Sequence, residues 1–170
     1  MDTAWQRTFQ ERMRRFEMRR PPRTGEVTVS IKVRVISGCF HRECSPHAYE
    51  IIDEHLSKVA ASGTASEFGF EEHESGPELL AYLAVTTAGI TLAASVIGLI
   101  TAIIKARSEG VRKGDRPSDP LELIVRRTHD GSGFHEEIVL RVGHKDPIDE
   151  KALAKRLREA LRQLLQGLKC

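Results

Sequence analysis

The chain has 170 residues, of which 40% are hydrophobic and 29% are charged. This apolar content is enough for a packed core, and it excludes a largely disordered or collagen-like chain. The 26 basic and 24 acidic side chains leave a net charge of +2, so the composition argues against a nucleic-acid partner. No secretory signal peptide precedes the three cysteines, and we therefore expect reduced thiols in a cytosolic setting.

The first 25 residues predict a basic arm in front of a single domain that covers residues 26–170. Residues 1–23 carry seven arginines against three carboxylates, a net charge of +4. Four large apolar residues recur there at helical spacing, namely Trp5, Phe9, Met13 and Phe16. The Pro21-Pro22 pair is expected to end this helix, because proline lacks the amide hydrogen that a helix interior needs.

The arginines of the arm predict contact with an acidic surface. The residues that we expect to make this contact are Arg12, Arg15 and Arg19. Acidic lipid headgroups, nucleic acid and an acidic protein all fit a basic amphipathic helix. The alternative is a solvated N-terminal extension that contacts nothing.

A strand, a helix and a second strand are expected next. From Glu26 to Ser37, β-branched apolar residues alternate with polar residues, which is typical of a half-buried strand. Residues 48–61 carry an apolar stripe at helical spacing, and Ser62-Gly63 closes that helix. Residues 67–73 fit a short strand, since Phe68 and Phe70 would share one face.

The longest apolar segment predicts one hydrophobic helix over about residues 76–109. Between Glu78 and Lys105 lie 26 residues without a charge, and twelve of them are Leu, Ile or Val. Ser75 and Glu78 fit an N-terminal capping box, and Gly110 suits a C-terminal cap. The uncharged run would measure roughly 39 Å as a helix, which exceeds the bilayer core of about 30 Å. We therefore expect a single-pass membrane protein; the alternative is a cytoplasmic protein that buries this helix.

One side of this predicted helix carries small residues. Ala94, Gly98 and Ala102 are four residues apart, the spacing that lets two helices approach closely. A single sheet covers only one side of such a helix. We therefore expect these three residues to pack against something outside the domain, either a partner protein or a second copy of the chain.

The C-terminal part predicts a linker, a hairpin and an amphipathic helix. Residues 112–120 have linker composition, and two strands over 121–128 and 134–142 flank a glycine-rich turn at 129–133. A leucine stripe then predicts a helix from Asp146 to Gln166. The order β-α-β, long helix, β-hairpin and helix predicts an α+β fold.

Two cysteines and two histidines in one loop are the clearest chemical cluster. Four residues within a stretch of nine can bind a soft metal ion, namely Cys39, His41, Cys44 and His47. This pattern gives a zinc site as one hypothesis. The paired knuckles of ordinary zinc modules are missing, so we expect no cofactor and two ordinary cysteines. A thiol nucleophile with a histidine base is a further alternative, although no orienting carboxylate or oxyanion hole is evident.

The succession of elements resembles a known family. A valine-rich strand (Val27-Thr28-Val29-Ser30-Ile31-Lys32-Val33) leads through a helix and a short strand into an Ala/Thr/Gly-rich hydrophobic helix. Basic residues, a strand, an Asp-Gly hairpin, a strand and an arginine-rich helix follow. Over about residues 26–168 this is similar to the effector-associated constant components of bacterial conflict systems. The resemblance implies a small protein without catalytic residues that accompanies a variable effector such as a protease.

These observations together predict a non-enzymatic accessory or adaptor component of a bacterial defence system. The hydrophobic helix would attach it to a membrane or to an effector protein. A homo-oligomeric binding domain is the first alternative, and a thiol- or zinc-dependent enzyme that uses the loop from Cys39 to His47 is the second.

Overall fold

A computed structural model describes residues 4–36, 38–63, 67–116, 118–128, 134–146 and 149–166. The helices of this part of the chain are α1 (Ala4–Arg19), α2 (Pro46–Ser62), α3 (Ala94–Arg112) and α4 (Glu150–Gln166). Its strands are β1 (Glu26–Val35), β2 (Phe68–His73), β3 (Gly76–Thr86), β4 (Gly89–Leu92), β5 (Leu121–Thr128) and β6 (Phe134–Val142). The chain thus combines helices with one sheet.

All the described strands form a single antiparallel sheet in the order β2-β3-β1-β5-β6. Strand β4 pairs with the second half of β3, on the edge where β2 pairs with the first half. Strand β3 is therefore central along its whole length. Both of its faces are buried as far as Leu83.

The main core lies between one face of the sheet and helices α2, α3 and α4. Alternate residues of the three central strands point into it, such as Ile31, Leu79 and Leu123, all at most 1% exposed. The other face is covered by α1, which buries Phe9, Met13 and Phe16. Helix α1 is thus an amphipathic helix, as its apolar spacing predicts, and it packs on the sheet.

The predicted long hydrophobic helix over 76–109 is wrong. Its first part forms the β3–β4 hairpin, and a helix begins only at Ala94. Strand β3 is buried on both faces and carries apolar or aromatic residues on both of them from Leu79 to Leu83, so it lacks the alternation that marks a half-buried strand. Glu78, which we predicted in a helix cap, lies in the middle of the sheet opposite Lys32.

The prediction of a single-pass membrane protein is also wrong. Among the described residues, no helix combines the length and the apolar character that a bilayer crossing requires. Helix α3 has 19 residues and carries Lys105, Arg107 and Glu109 in its second half. We expected the segment from Ile90 to Ile104 to need cover from outside the domain, but its residues Val96, Leu99, Ile100, Ile103 and Ile104 are buried in the main core.

The C-terminal predictions agree closely with the structure. Strands β5 and β6 have the predicted limits, and α4 begins at Glu150 rather than Asp146. The glycine-rich turn at 129–133 lies outside the described residues. Helix α4 shows clear periodicity because it has one buried and one exposed side, whereas β5 is buried on both faces from Leu121 to Arg126.

Candidate functional site

Charged side chains lie side by side on the face of the sheet beneath α1. In register, Lys32 of β1 lies opposite Glu78 of β3, and Ser30 of β1 lies between Leu80 and Arg126 of the flanking strands. Helix α1 and strand β2 bring further polar groups to the same place. We call this set the inner charged cluster; it consists of Arg12, Ser30, Lys32, Glu71, His73, Glu78 and Arg126.

Glu78 is the centre of this cluster, and its side chain is 0% exposed. The Ser30 hydroxyl donates to Oε2 at 2.7 Å, and His73 Nε2 lies 3.1 Å from Oε1. Arg12 and Arg126 approach the two carboxylate oxygens at 3.6 and 3.9 Å. Burial by itself raises the pKa of Glu78, but the hydrogen bonds from His73 and Ser30 and the Arg12 charge outweigh it, so the pKa is lowered.

Arg12 joins α1 to the β2–β3 hairpin. Its Nη1 lies 2.8 Å from His73 Nε2, and its Nε lies 3.4 Å from Glu71 Oε2. The ligand atoms of Glu71, His73 and Glu78 lie within 4.8 Å of one another, a spacing that would suit a metal ion. In the structure the Arg12 guanidinium supplies the positive charge at this place.

Lys32 is the most strongly perturbed base of the cluster. Its side chain donates to the carbonyl oxygen of Gly76, and the residue is 3% exposed. Burial lowers the pKa of Lys32 to about 7; Glu78 opposes the shift, whereas Arg126, Arg12 and Arg34 add to it. Lys32 is therefore largely neutral in the folded state at mildly alkaline pH.

The arrangement compensates buried charges and does not assemble a nucleophile with its base. The Glu78 carboxylate separates the Ser30 hydroxyl from the His73 imidazole, since each contacts a different carboxylate oxygen. The carboxylate that accepts from the Ser30 hydroxyl has a lowered pKa and is therefore a weak base, which does not activate a nucleophile for covalent catalysis. What the cluster does is fix the position of α1 on the sheet.

The outer side of α1 is rich in exposed arginines. They are Arg7, Arg14, Arg15 and Arg19, which we call the arginine face. Met18 lies among them and is 75% exposed. Of the three arginines predicted to contact an acidic surface, Arg12 points inward to the carboxylates of its own sheet, whereas Arg15 and Arg19 are on the arginine face.

The predicted helix-packing residues lie on the outward side of α3. Ala94 is exposed, and Gly98 and Ala102 are half-buried. A Cβ added at Gly98 would meet nothing within 4 Å apart from its chain neighbours and its own helix. The three residues therefore share a surface, and their role in association stays a prediction.

The predicted metal loop has a different structure from the one that zinc would need. Cys39 and Cys44 are joined by a disulfide, which corrects the expectation of reduced thiols and removes both thiolates. His41 Nε2 lies 3.6 Å from Cys44 Sγ. His47 is turned away, and its Nδ1 lies 2.8 Å from Asp115 Oδ1. The four predicted ligands are therefore not brought together.

Asp115 was missed by the sequence analysis, although it organises the start of α2. Its carboxylate is 1% exposed and accepts hydrogen bonds from the backbone N–H groups of His47 and Ala48. The free N–H groups of a helix N-terminus usually bond to a residue just before the helix. Here the partner lies just after the C-terminal end of α3 and is distant in sequence from α2, so no local sequence pattern predicts it.

Glu78 and Lys32 were also missed as site residues. Lys32 occupies the polar side of an alternating strand, which sequence alone assigns to solvent. The available signal was the apolar stripe of α1, which had to cover some surface. It did not say which surface.

Comparison with known proteins adds no identification. No protein-family model, no curated protein and no solved structure matches this chain.

Proposed function

We propose that this chain is a non-enzymatic accessory component that binds an acidic surface of an effector protein through the arginine face of α1. The observation that carries the proposal is the split of charge across one helix. The inward Arg12 is neutralised by Glu71 and Glu78, whereas the outward arginines project from a helix that is anchored on its other side.

The anchoring matters because it orders the arginines before a partner arrives. Phe9, Met13 and Phe16 are at most 6% exposed and hold α1 against Leu80 and Tyr82. An ordered row of like charges attracts an acidic surface and loses less conformational entropy on binding than a flexible tail would. Met18 adds an apolar contact in the middle of that row.

The nature of the partner rests on the family resemblance. Effector-associated constant components accompany a variable effector such as a protease, and the order of elements that the sequence predicts resembles theirs. The first part of the predicted hydrophobic helix forms the β3–β4 hairpin, so the resemblance rests on the remaining elements. A docking role agrees with an inner charged cluster that holds α1 in place.

Binding to labelled poly-glutamate tests the arginine face directly. We expect the Arg15→Glu/Arg19→Glu variant to bind about tenfold more weakly than the wild-type chain, because two attractions become repulsions. The matched control is Arg156→Glu/Arg162→Glu on the exposed side of α4, which changes the net charge equally. Fluorescence anisotropy at two salt concentrations measures both variants.

Two results would contradict this proposal. An equal loss of poly-glutamate affinity in the α4 variant would show that binding depends only on the net charge of the chain. Tighter binding of duplex DNA of the same charge would favour a nucleic-acid partner. If poly-glutamate binding follows the arginine face, co-purification with the product of the neighbouring gene then asks whether that protein is the effector.

A homo-oligomeric binding domain is the second candidate, and the open surface at Gly98 favours it. Small residues on an outward helix side allow a second helix to approach closely. Sedimentation should show an oligomer for the wild-type chain and a smaller species for Gly98→Ile. A monomer in both cases would count against this candidate.

A further inference from the structure

The loop between β1 and α2 places a disulfide beside an imidazole. Cys39 and Cys44 are bonded to each other, and His41 Nε2 lies 3.6 Å from the sulfur of Cys44. All three residues are half-buried, so part of each is accessible from solvent. The pair is therefore within reach of an external thiol.

The hydrogen bonding of His41 decides which ring nitrogen carries the proton. The backbone N–H of Glu43 donates to His41 Nδ1 at 3.1 Å. In the neutral imidazole the other nitrogen, Nε2, must then carry the hydrogen, and it points toward Cys44 Sγ. A thiolate accepts such a hydrogen bond more strongly than a disulfide sulfur does. Cleavage of the disulfide therefore strengthens this contact and makes Cys44 the better leaving group.

The loop keeps its shape through contacts that do not involve the disulfide. Phe40 is fully buried, its N–H donates to the carbonyl of Glu74 at 2.8 Å, and its carbonyl accepts from the Tyr49 hydroxyl at 2.7 Å. On the other side, the N–H of Ser45 donates to the carbonyl of His41 at 2.8 Å. The two sulfurs consequently stay near each other after reduction.

A structural staple is the alternative role, and the short spacing argues against it. The two cysteines are five positions apart, so the bond closes a very short loop. The stabilisation from a disulfide decreases as the closed loop becomes shorter. Since other contacts already hold the loop, we infer that its sulfurs are placed for chemistry.

We propose that Cys39–Cys44 is a thiol-exchange site that a dithiol reductant opens by attack on Cys39. A thiolate of the dithiol bonds to Cys39 Sγ, the bond between the two cysteines breaks, and Cys44 leaves as a thiolate held by the Nε2–H of His41. The second thiolate of the dithiol then displaces Cys39. The chain gains two electrons and two protons as two thiols, and the dithiol becomes a disulfide.

The rate of reduction by dithiothreitol tests this proposal. A Cys170→Ser background leaves Cys39 and Cys44 as the only cysteines. Timed alkylation and mass spectrometry then count the thiols formed. We expect His41→Phe to be reduced about tenfold more slowly than the parent chain, because the leaving thiolate loses its hydrogen-bond donor. His41→Gln, which keeps an N–H donor, should recover part of the rate.

His47→Gln is the matched control, since His47 lies in the same region but contacts Asp115. Its rate should equal that of the parent. Loosening of the loop exposes the disulfide and accelerates reduction, so a slower reaction of His41→Phe cannot come from unfolding. In concentrated urea all the variants should react at one rate.

Equal rates for the folded parent and His41→Phe would overturn the proposal. An equal slowing in His47→Gln would overturn it as well, because the effect would then be general to the loop. The proposal would also be overturned if peptide mapping after aerobic purification found Cys39 and Cys44 without a disulfide between them.

Discussion

The face of the sheet under α2, α3 and α4 is closed by aliphatic side chains, whereas the face under α1 is closed by both apolar and charged ones. Each fully buried aliphatic side chain contributes about 1.5–3 kcal/mol to the stability of the fold, and it packs against any apolar neighbour without a directional requirement. A buried ion pair contributes little net stability because desolvation offsets its attraction. Removal of one partner nevertheless costs much, since the other charge stays buried and unpaired.

The difference teaches what each face specifies. The aliphatic face supplies most of the stability of the fold. The inner charged cluster supplies orientation, because Arg12 is compensated in only one position of α1, next to Glu71 and Glu78. The position of the arginine face therefore depends on the cluster. Three changes break or sharpen this comparison.

The largest effect is expected from Glu78→Ala. Loss of the fully buried carboxylate leaves Arg12 with only the half-buried Glu71 and Arg126 with only the half-buried Glu136. We expect the free energy of unfolding to fall by about 3 kcal/mol. Chemical denaturation measures it. Glu72→Ala on the neighbouring strand is the control: Glu72 is an exposed ion-pair partner of Arg42, and its loss should cost below about 1 kcal/mol. Similar losses in both variants would show that the cluster has no special role.

The pH dependence of stability should report Lys32. Its pKa is about 7 in the folded chain and is 10.5 without the fold, so above pH 7 the unfolded chain binds more protons. Stability should therefore rise with pH from about 7 to about 9.5, by at most about 1.4 kcal/mol per unit. Below this window both states are protonated and Lys32 adds no slope.

Lys32→Met, followed by denaturation over the same pH range, checks the origin of that slope. Methionine keeps a similar length without a titrating group, so the rise should disappear. The pH range ends below the pH at which tyrosines ionise. Burial raises the pKa of Tyr49, so at higher pH its ionisation in the unfolded chain would make stability fall as the pH rises. An unchanged slope in the variant would assign it to other groups.

A smaller pair of effects is expected from two glycines of α3, of which Gly110 is buried and Gly98 lies on the outward side of the helix. An added Cβ at Gly110 would lie 2.3 Å from Asp115 Oδ2 and 3.0 Å from Ala48, so Gly110→Ala should cost about 1–3 kcal/mol. At Gly98 the space is open, and alanine favours a helix more than glycine does. Gly98→Ala should therefore stabilise the chain by about 0.5–1 kcal/mol. Thermal unfolding of both variants measures this contrast, and a melting temperature that rises in Gly110→Ala or falls in Gly98→Ala would contradict it.

The sequence was most informative where the two sides of an element differ in polarity. Strand β1 and helices α1, α2 and α4 show a period of two or of about 3.6, and their limits differ little from the predicted ones. Strand β1 keeps its period although both of its faces are buried, because its second face carries Thr28, Ser30 and Lys32. The sequence was least informative at residues 76–92, because apolar side chains fill both faces of β3 from Leu79 to Leu83 and remove the period. One uncharged run therefore contains both the β3–β4 hairpin and the start of α3.

The candidate site was even less accessible from sequence. Arg12, Ser30 and Lys32 belong to polar patterns that sequence assigns to solvent, and their partners lie 44 or more positions away along the chain. The Cys39–His41–Cys44 grouping was visible as a local pattern. Its disulfide and its separation from His47 depend on the conformation of the loop.

By itself, the amino-acid pattern determined the mixed helix-and-strand composition, the basic amphipathic character of α1 and the hairpin of β5 with β6. Only the tertiary structure decided that α1 covers the sheet, that Glu78 is a buried counter-charge, and that the apolar run folds inward. The reason is physical: periodicity records which side of an element is buried, whereas the identity of the burying neighbour depends on contacts between residues that are distant in the chain.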